Sequence, residues 1–194
     1  MTHIKDGYNG MSYSLLGKDK WEDFEKVMGK NGAYWGCWCA YDRMRRSLFS
    51  KSGSDIHKSV TRKYVDSGKI VGIIAYENEE PIGWCSIGPV EDFPGIMFSR
   101  ELKPEEPEGK WCITCLFIRK GWRKKGLTSY LITSALDVAR KENTKSVEAY
   151  PVEGGKPKGD PFIYRGLLST YLKLGFVPVR TRSRTSMPVV AYKL

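Results

Sequence analysis

Ile118-Arg119-Lys120-Gly121-Trp122-Arg123-Lys124-Lys125-Gly126-Leu127-Thr128 joins two segments of different periodicity. Before it, Trp111 to Ile118 is almost wholly apolar, the pattern of a buried strand. After it, Leu127, Tyr130, Leu131, Ala135 and Val138 form one helical stripe, with Thr128 or Ser129 near its start as a cap. Between them, Arg119, Lys120, Arg123, Lys124 and Lys125 put five positive charges into seven residues. A helix N-terminus leaves backbone N–H groups unpaired and carries partial positive charge. With Gly121 and Gly126 in the approach, those amides can come close to a phosphate, so the segment reads as a phosphate cradle. It is not a Walker loop, because Leu127 and Thr128 stand where Lys and Ser/Thr would follow Gly126, and no G-x-G-x-x-G is present. What remains is Arg123-x-x-Gly126-x-Thr128.

Outward from this junction the elements alternate. Ser146 to Val152 is a strand, and a strand–helix–strand unit implies a parallel crossover. Lys69–Tyr76 and Ile82–Ile87 form a hairpin about Glu77–Pro81. Gly88–Lys110, with four prolines and many carboxylates, reads as a long loop. Residues 12–16 form a short strand. Asp19 with Glu22 resembles a capping box before the face of Trp21, Phe24, Val27 and Met28, and Gly29 is the stop. Ile56, Val60 and Tyr64 make a second helical face. Leu167–Leu174 is a helix ended by Gly175, and strands near 176–182 and 187–193 close the chain. The expected fold is mixed α/β, organised as one domain over residues 1–194 with 1–10 as an arm.

The composition narrows the class. The chain has 194 residues, 41% of them hydrophobic, and a net charge of +10. That is enough apolar material for a packed core and argues against disorder. No apolar run approaches the ~18 residues needed to span a bilayer. Met1–Gly10 has no basic-then-apolar leader pattern, so a cytoplasmic protein is expected. The charge suits either an ordinary solvated surface or a polyanionic partner: a phosphorylated cofactor, a membrane surface, or nucleic acid held by 119–125 with Arg180, Arg182 and Arg184. The basic run at a strand-to-helix junction favours the cofactor. Five cysteines, Cys37, Cys39, Cys85, Cys112 and Cys115, are an odd number and do not suggest a disulfide framework. On a regular strand Cys112 and Cys115 would face opposite ways, so no metal site is expected.

Phe117-Ile118 with Trp122-Arg123-Lys124-Lys125-Gly126-Leu127-Thr128 and Leu131 resembles the acetyl-CoA-binding motif, R/Q-x-x-G-x-G/A, of the GNAT superfamily of N-acetyltransferases. Tyr171-Leu172-Lys173-Leu174-Gly175-Phe176 resembles its late Y-x-K-x-G-F signature. Gly36-Cys37-Trp38-Cys39, Trp111 to Cys115 and Val147-Glu148-Ala149-Tyr150-Pro151-Val152 resemble a subgroup marked by Cys-Trp-Cys. Thr128 departs from the small residue usual at that position.

The resemblance implies a GNAT-like, splayed mixed sheet flanked by helices, with acetyl-CoA as co-substrate and no metal. Pantetheine would lie along Leu116, Phe117 and Ile118, and pyrophosphate on the amides of Arg123, Lys124, Lys125, Gly126, Leu127 and Thr128. It also implies direct acetyl transfer to the amine of a small molecule or peptide, with Tyr171 as general acid. Glu148 is the candidate base, as a carboxylate within an apolar strand beside the gap. Trp35, Cys37, Trp38 and Cys39 are candidate walls of the acceptor pocket. A non-catalytic coenzyme A sensor and a nucleic-acid-binding domain are the alternatives, and a homodimer is allowed.

Overall fold

The computed structural model describes residues 10–153, 163–180 and 187–194. Seven strands form one mixed sheet: β1 (Met11–Leu15), β2 (Gly72–Glu77), β3 (Glu80–Pro89), β4 (Lys110–Ile118), β5 (Ser146–Ala149), β6 (Val177–Arg180) and β7 (Val189–Lys193). Their spatial order is β1-β2-β3-β4-β5-β7-β6. The helices are α1 (Trp21–Met28), α2 (Arg46–Phe49), α3 (Ser54–Asp66), α4 (Pro94–Met97), α5 (Leu127–Lys141) and α6 (Leu168–Lys173). The expected parallel crossover is the β4–α5–β5 unit, with Trp111 opposite Val147 and Ile113 opposite Ala149. All other pairings are antiparallel. The β2–β3 hairpin turns on Asn78 and Glu79, both at positive φ, the two-residue turn whose twist matches the strands.

One face of the sheet packs on α5, whose Leu127, Tyr130, Leu131, Ala135 and Val138 are all buried as their spacing predicts. The other face carries α1 and the 32–44 segment around Phe24, Trp38, Tyr76 and Trp84. A third apolar cluster, Phe93, Ile96, Leu102, Cys112, Tyr150 and Val189, lies further along that second face. The 88–110 segment is therefore not a plain loop: it contains α4 and contributes core side chains.

A bulge governs β4. Ser86 pairs with Cys115, while the next residue, Ile87, pairs with Ile113. Thr114 is thus the extra residue, and the bulge breaks the pleat's alternation. Trp111 and Ile113 join the α5-side core, and so do Leu116 and Ile118. Cys112, Cys115 and Phe117 face the other way. The uniform alternation expected from sequence fails at Thr114, and with it the argument that Cys112 and Cys115 look in opposite directions. They share a side but belong to separate clusters, and among the described residues no group of three His, Cys, Asp or Glu side chains is arranged to hold a metal ion.

Three further expectations change. Asp19 does not cap α1, which follows a 3-10 turn with no side-chain cap, although Gly29 does end it, at φ 69°. The buried face of α3 is His57, Thr61 and Val65, with Ile56 exposed. Polar residues turn inward there to satisfy carbonyls of the preceding loop: Thr61 Oγ1 donates to Trp38 O at 2.8 Å, and His57 Nδ1 lies 2.8 Å from Gly36 O. Finally, β5 stops at Ala149, short of the predicted Val152.

Candidate active site

The early end of β5 opens the sheet. β5 accompanies β4 only from Lys110 to Ile113. Beyond Ala149 the chain leaves the sheet: Val152 N–H donates to Gly166 O at 2.9 Å, and Leu168 N–H donates to Val152 O at 2.9 Å. Among the described residues the β5-side edge of Cys115 to Ile118 therefore has no neighbouring strand, while the opposite edge stays paired to Gly83–Ser86. An edge of this kind can accept an extended ligand as an added strand.

The cradle lies at the end of that edge. Lys124, Gly121 and Gly126 all have positive φ, and Gly126, at φ 79°, is the N-cap of α5. Thr128 falls within the first turn and makes no capping bond. Among the described residues, no amide from Arg123 to Thr128 donates a hydrogen bond to the protein. Six consecutive N–H groups at a helix start are thus available to an anion. Not all the cations point outward. Arg123 Nε donates to Ile118 O at 3.0 Å, and Arg119 bonds Glu80 and Pro81 O. Lys124 and Lys125 are exposed, the latter over the Trp122 ring.

Tyr171 sits on α6 against the open part of β4. A Cβ added at Gly166 would come within 2.9 Å of the Tyr171 ring and 3.0 Å of Leu116 Cδ1, so the three meet at one point. The ring packs edge-on to Phe176 at 5.0 Å. The side chain is fully buried and its hydroxyl has no hydrogen-bond partner among the described residues. Burial, reinforced by the nearby Cys85 and Cys115 thiols, raises its pKa well above that of a free phenol. The group holds its proton at neutral pH.

Glu148 is buried on β5, but its carboxylate is engaged. Arg180 reaches both oxygens, at 3.2 and 2.8 Å, and Lys110 Nζ lies 3.9 Å away. Two cations thus hold the carboxylate and occupy the lone pairs that a base would use. The role of base expected for Glu148 does not suit this environment.

The candidate wall also separates into parts. Trp35 is 82% exposed and stacks on Tyr34. Trp38 is core: its indole N–H donates to Ser54 Oγ at 2.9 Å, and its ring neighbours Phe24. Cys39 is buried, accepting from Trp84 Nε1 at 3.1 Å. A bond from the Cys115 thiol, with the Arg43 charge and Trp84 N–H, lowers its pKa to about 7. Burial and the Cys39 neighbour push Cys37 up to about 12, which makes it a poor nucleophile. The backbone here is strained, with Ala33, Trp35, Trp38 and Cys39 at positive φ.

Sequence reasoning missed the residues that connect these parts. Arg165, 2% exposed, donates from Nη2 to both oxygens of buried Asp42, at 2.9 and 2.8 Å. Its charge reaches Tyr150, Tyr164 and Tyr171. The two partners are 123 positions apart, so no local pattern announces them. The one local signal is the charge density of Asp42-Arg43-Met44-Arg45-Arg46. Arg182 and Arg184 lie outside the described residues, as does most of the 153–165 loop.

Comparison with known proteins fits this geometry. No curated protein matches the chain. Among solved structures, it is similar to the PaiA N-acetyltransferase of Thermoplasma acidophilum in complex with coenzyme A (14% identity, TM-score 0.53, covering 95% of this chain and 99% of that one). It is similar to the GNAT family N-acetyltransferase YhbS of Escherichia coli in complex with coenzyme A (14%, 0.53, 98% and 85%). A third is aminoglycoside acetyltransferase AAC(6')-Ib in complex with coenzyme A (17%, 0.58, 94% and 94%). At these identities the likeness establishes the fold. The model of the acetyltransferase (GNAT) family matches residues 33–157, well over half of the sequence, and the chain belongs to that family.

Proposed function

We propose that the protein is an acetyl-CoA-dependent N-acetyltransferase that moves an acetyl group directly to an amine of a small molecule or peptide. One observation carries the reading: among the described residues, the unpaired edge of β4 leads from a buried, unpartnered phenol to six free amides at the start of α5. The solved relatives with coenzyme A bound support the choice of co-substrate.

The residues fit that molecule. The edge at Leu116, Phe117 and Ile118 would receive its pantetheine arm, although Ile118 O is already bonded to Arg123. The amides of Arg123, Lys124, Lys125, Gly126, Leu127 and Thr128 would receive its pyrophosphate, with Lys124 and Lys125 adding charge. Bound there, acetyl-CoA supplies an activated acetyl group as a thioester.

This chain supplies binding, orientation and one proton. Tyr171 holds a phenolic proton in a dry site and can donate it to a departing thiolate. An amide of the β4 edge near the Thr114 bulge is the candidate donor to the developing oxyanion. An acceptor amine with a pKa near ~10.4 must first lose a proton. With Glu148 held by Arg180 and Lys110, we infer no dedicated carboxylate base. The buried positive charge of Arg43 and Arg165 would disfavour the ammonium form instead. On resemblance, we also assign the chain to the Cys-Trp-Cys branch of the family, as one cytoplasmic domain.

The test is melting temperature with and without acetyl-CoA, followed by acetyl transfer across an amine panel. Acetyl-CoA should raise the melting temperature, and Gly126→Asp should abolish the rise by placing a carboxylate at the cradle. Gly126→Asn, which tolerates the same backbone and adds no charge, should retain much of it. A full rise in the Asp variant would mean the cradle is elsewhere. A rise in the wild type with no transfer to any amine would favour a sensor.

A further inference from the structure

On the face of the sheet opposite α5, a cleft of about 580 Å³ lies between Arg45–Ser47 and the 94–102 segment. That volume suits a small organic molecule. Its floor includes Leu102 and Met187, which pack with Cys112 of β4 and Tyr150 after β5. The cleft thus adjoins the strands that flank the open edge.

Its walls are cationic. The Arg45 guanidinium lies over the exposed Phe98 ring at 3.6 Å and makes no hydrogen bond or ion pair among the described residues. Its donors are therefore free for a ligand. Arg46 lies over Tyr41 at 3.9 Å and donates to Asp42 at 3.1 Å. Asp42 also holds Arg165, which acts electrostatically on Tyr171. An Arg46–Asp42–Arg165 chain thus runs inward from the cleft wall. Behind it, the fully buried Arg43 donates only from Nη2, to Val71 O and Ser86 Oγ, and has no carboxylate partner among the described residues. The nearby carboxylates are already compensated: Asp42 by two arginines, Glu148 by Arg180 and Lys110. Glu101 is the one acidic side chain lining the cleft.

We propose that this cleft is the acceptor side of the site, and that the acceptor is a small amine that also carries an anionic group, carboxylate or phosphate, received by Arg45 and Arg46. The proposal rests on the acetyl-transfer reading above. Guanidinium groups bind both anions through paired N–H donors, and a ring-stacked arginine is already oriented for it. A polycationic amine would meet like charge at Arg45 and Arg46. The anionic end supplies attraction, while the buried arginines beyond it favour the neutral, nucleophilic form of the amine.

The experiment measures kcat/KM for acetylation by the full chain with acetyl-CoA and matched acceptors. Phenylalanine is set against phenylalaninamide for carboxylate, phosphoethanolamine against ethanolamine for phosphate, and spermidine serves as the cationic arm. At least one anionic member should exceed its neutral partner by about 10-fold or more, the arm that does so identifying the anion, and spermidine should be poor. Arg45→Glu should remove that preference mainly through KM. It should leave the rise with acetyl-CoA unchanged and move the melting temperature little, since among the described residues Arg45 makes only its ring contact with Phe98. Preference for neutral or cationic acceptors, or an anion preference that survives Arg45→Glu and Arg46→Glu, overturns the proposal while acetyl transfer stands. Absence of both the acetyl-CoA rise and transfer to any amine overturns the two together.

Discussion

Removing one oxygen atom from Tyr171 separates its chemical role from its structural one. The ring is fully buried and packs on Phe176, and phenylalanine keeps those contacts. The hydroxyl is buried without a partner among the described residues, so the folded protein bears its desolvation cost, about 1–3 kcal/mol. Tyr171→Phe should therefore leave the fold as stable as before or strengthen it by about 1–2 kcal/mol. In a chain of this size that is a rise of roughly 2–8 °C in melting temperature. Turnover should move the other way. A positioned general acid is worth about 10²–10⁴-fold, or about 3–5 kcal/mol of barrier. The assay is thermal unfolding of both proteins without acetyl-CoA, followed by kcat with saturating acetyl-CoA. A drop in melting temperature would show that the hydroxyl has a stabilising partner, and an unchanged kcat would show that it gives no proton. Either result refutes the reasoning.

Three other perturbations probe the surroundings. Asp42→Ala leaves Arg165 buried without its counter-charge and should cost about 3–5 kcal/mol by chemical denaturation, well above a typical surface change. Thr61→Val keeps the shape of α3 but leaves Trp38 O without its donor, and should cost about 1–3 kcal/mol in the same assay. Cys39 has a folded pKa of about 7, below the ordinary value of 9.0, so between those values the unfolded chain binds more protons there. Its contribution to stability should grow as pH rises from about 7 to 9 and vanish below. Thiolate absorbance should show one cysteine titrating near 7, and Cys39→Ser should remove it.

Much of the fold is legible in the order of the residues. The stripe of α5, the apolar run of β4 and the glycines at 29 and 175 are local signals, and local signals are what spacing reveals. The cradle is legible for the same reason, since its charges and glycines lie within a few residues of one another. What escapes is settled by distant partners. His57 and Thr61 look like surface residues until the carbonyls of Gly36 and Trp38 need donors. Glu148 looks like a base until Arg180 arrives from β6. Asp42 and Arg165 carry no mutual signature. Thr114 is a subtler case, because nothing in Trp111–Ile118 marks where the ladder slips against β3.

That slip decides which face of β4 each residue serves. If the nine residues Lys110–Ile118 paired as a regular pleat, every residue beyond Ile113 would change sides: Leu116 and Ile118 would leave the α5 core for the side of Trp84, and Cys115 and Phe117 would take their places. Deleting Thr114 closes the bulge with the sides kept, because Cys115 then follows Ile113 on the Trp84 side and Leu116 returns to α5. The extra residue is what lets Ile113 and Leu116 share one core at a spacing of three, which a regular ladder does not allow.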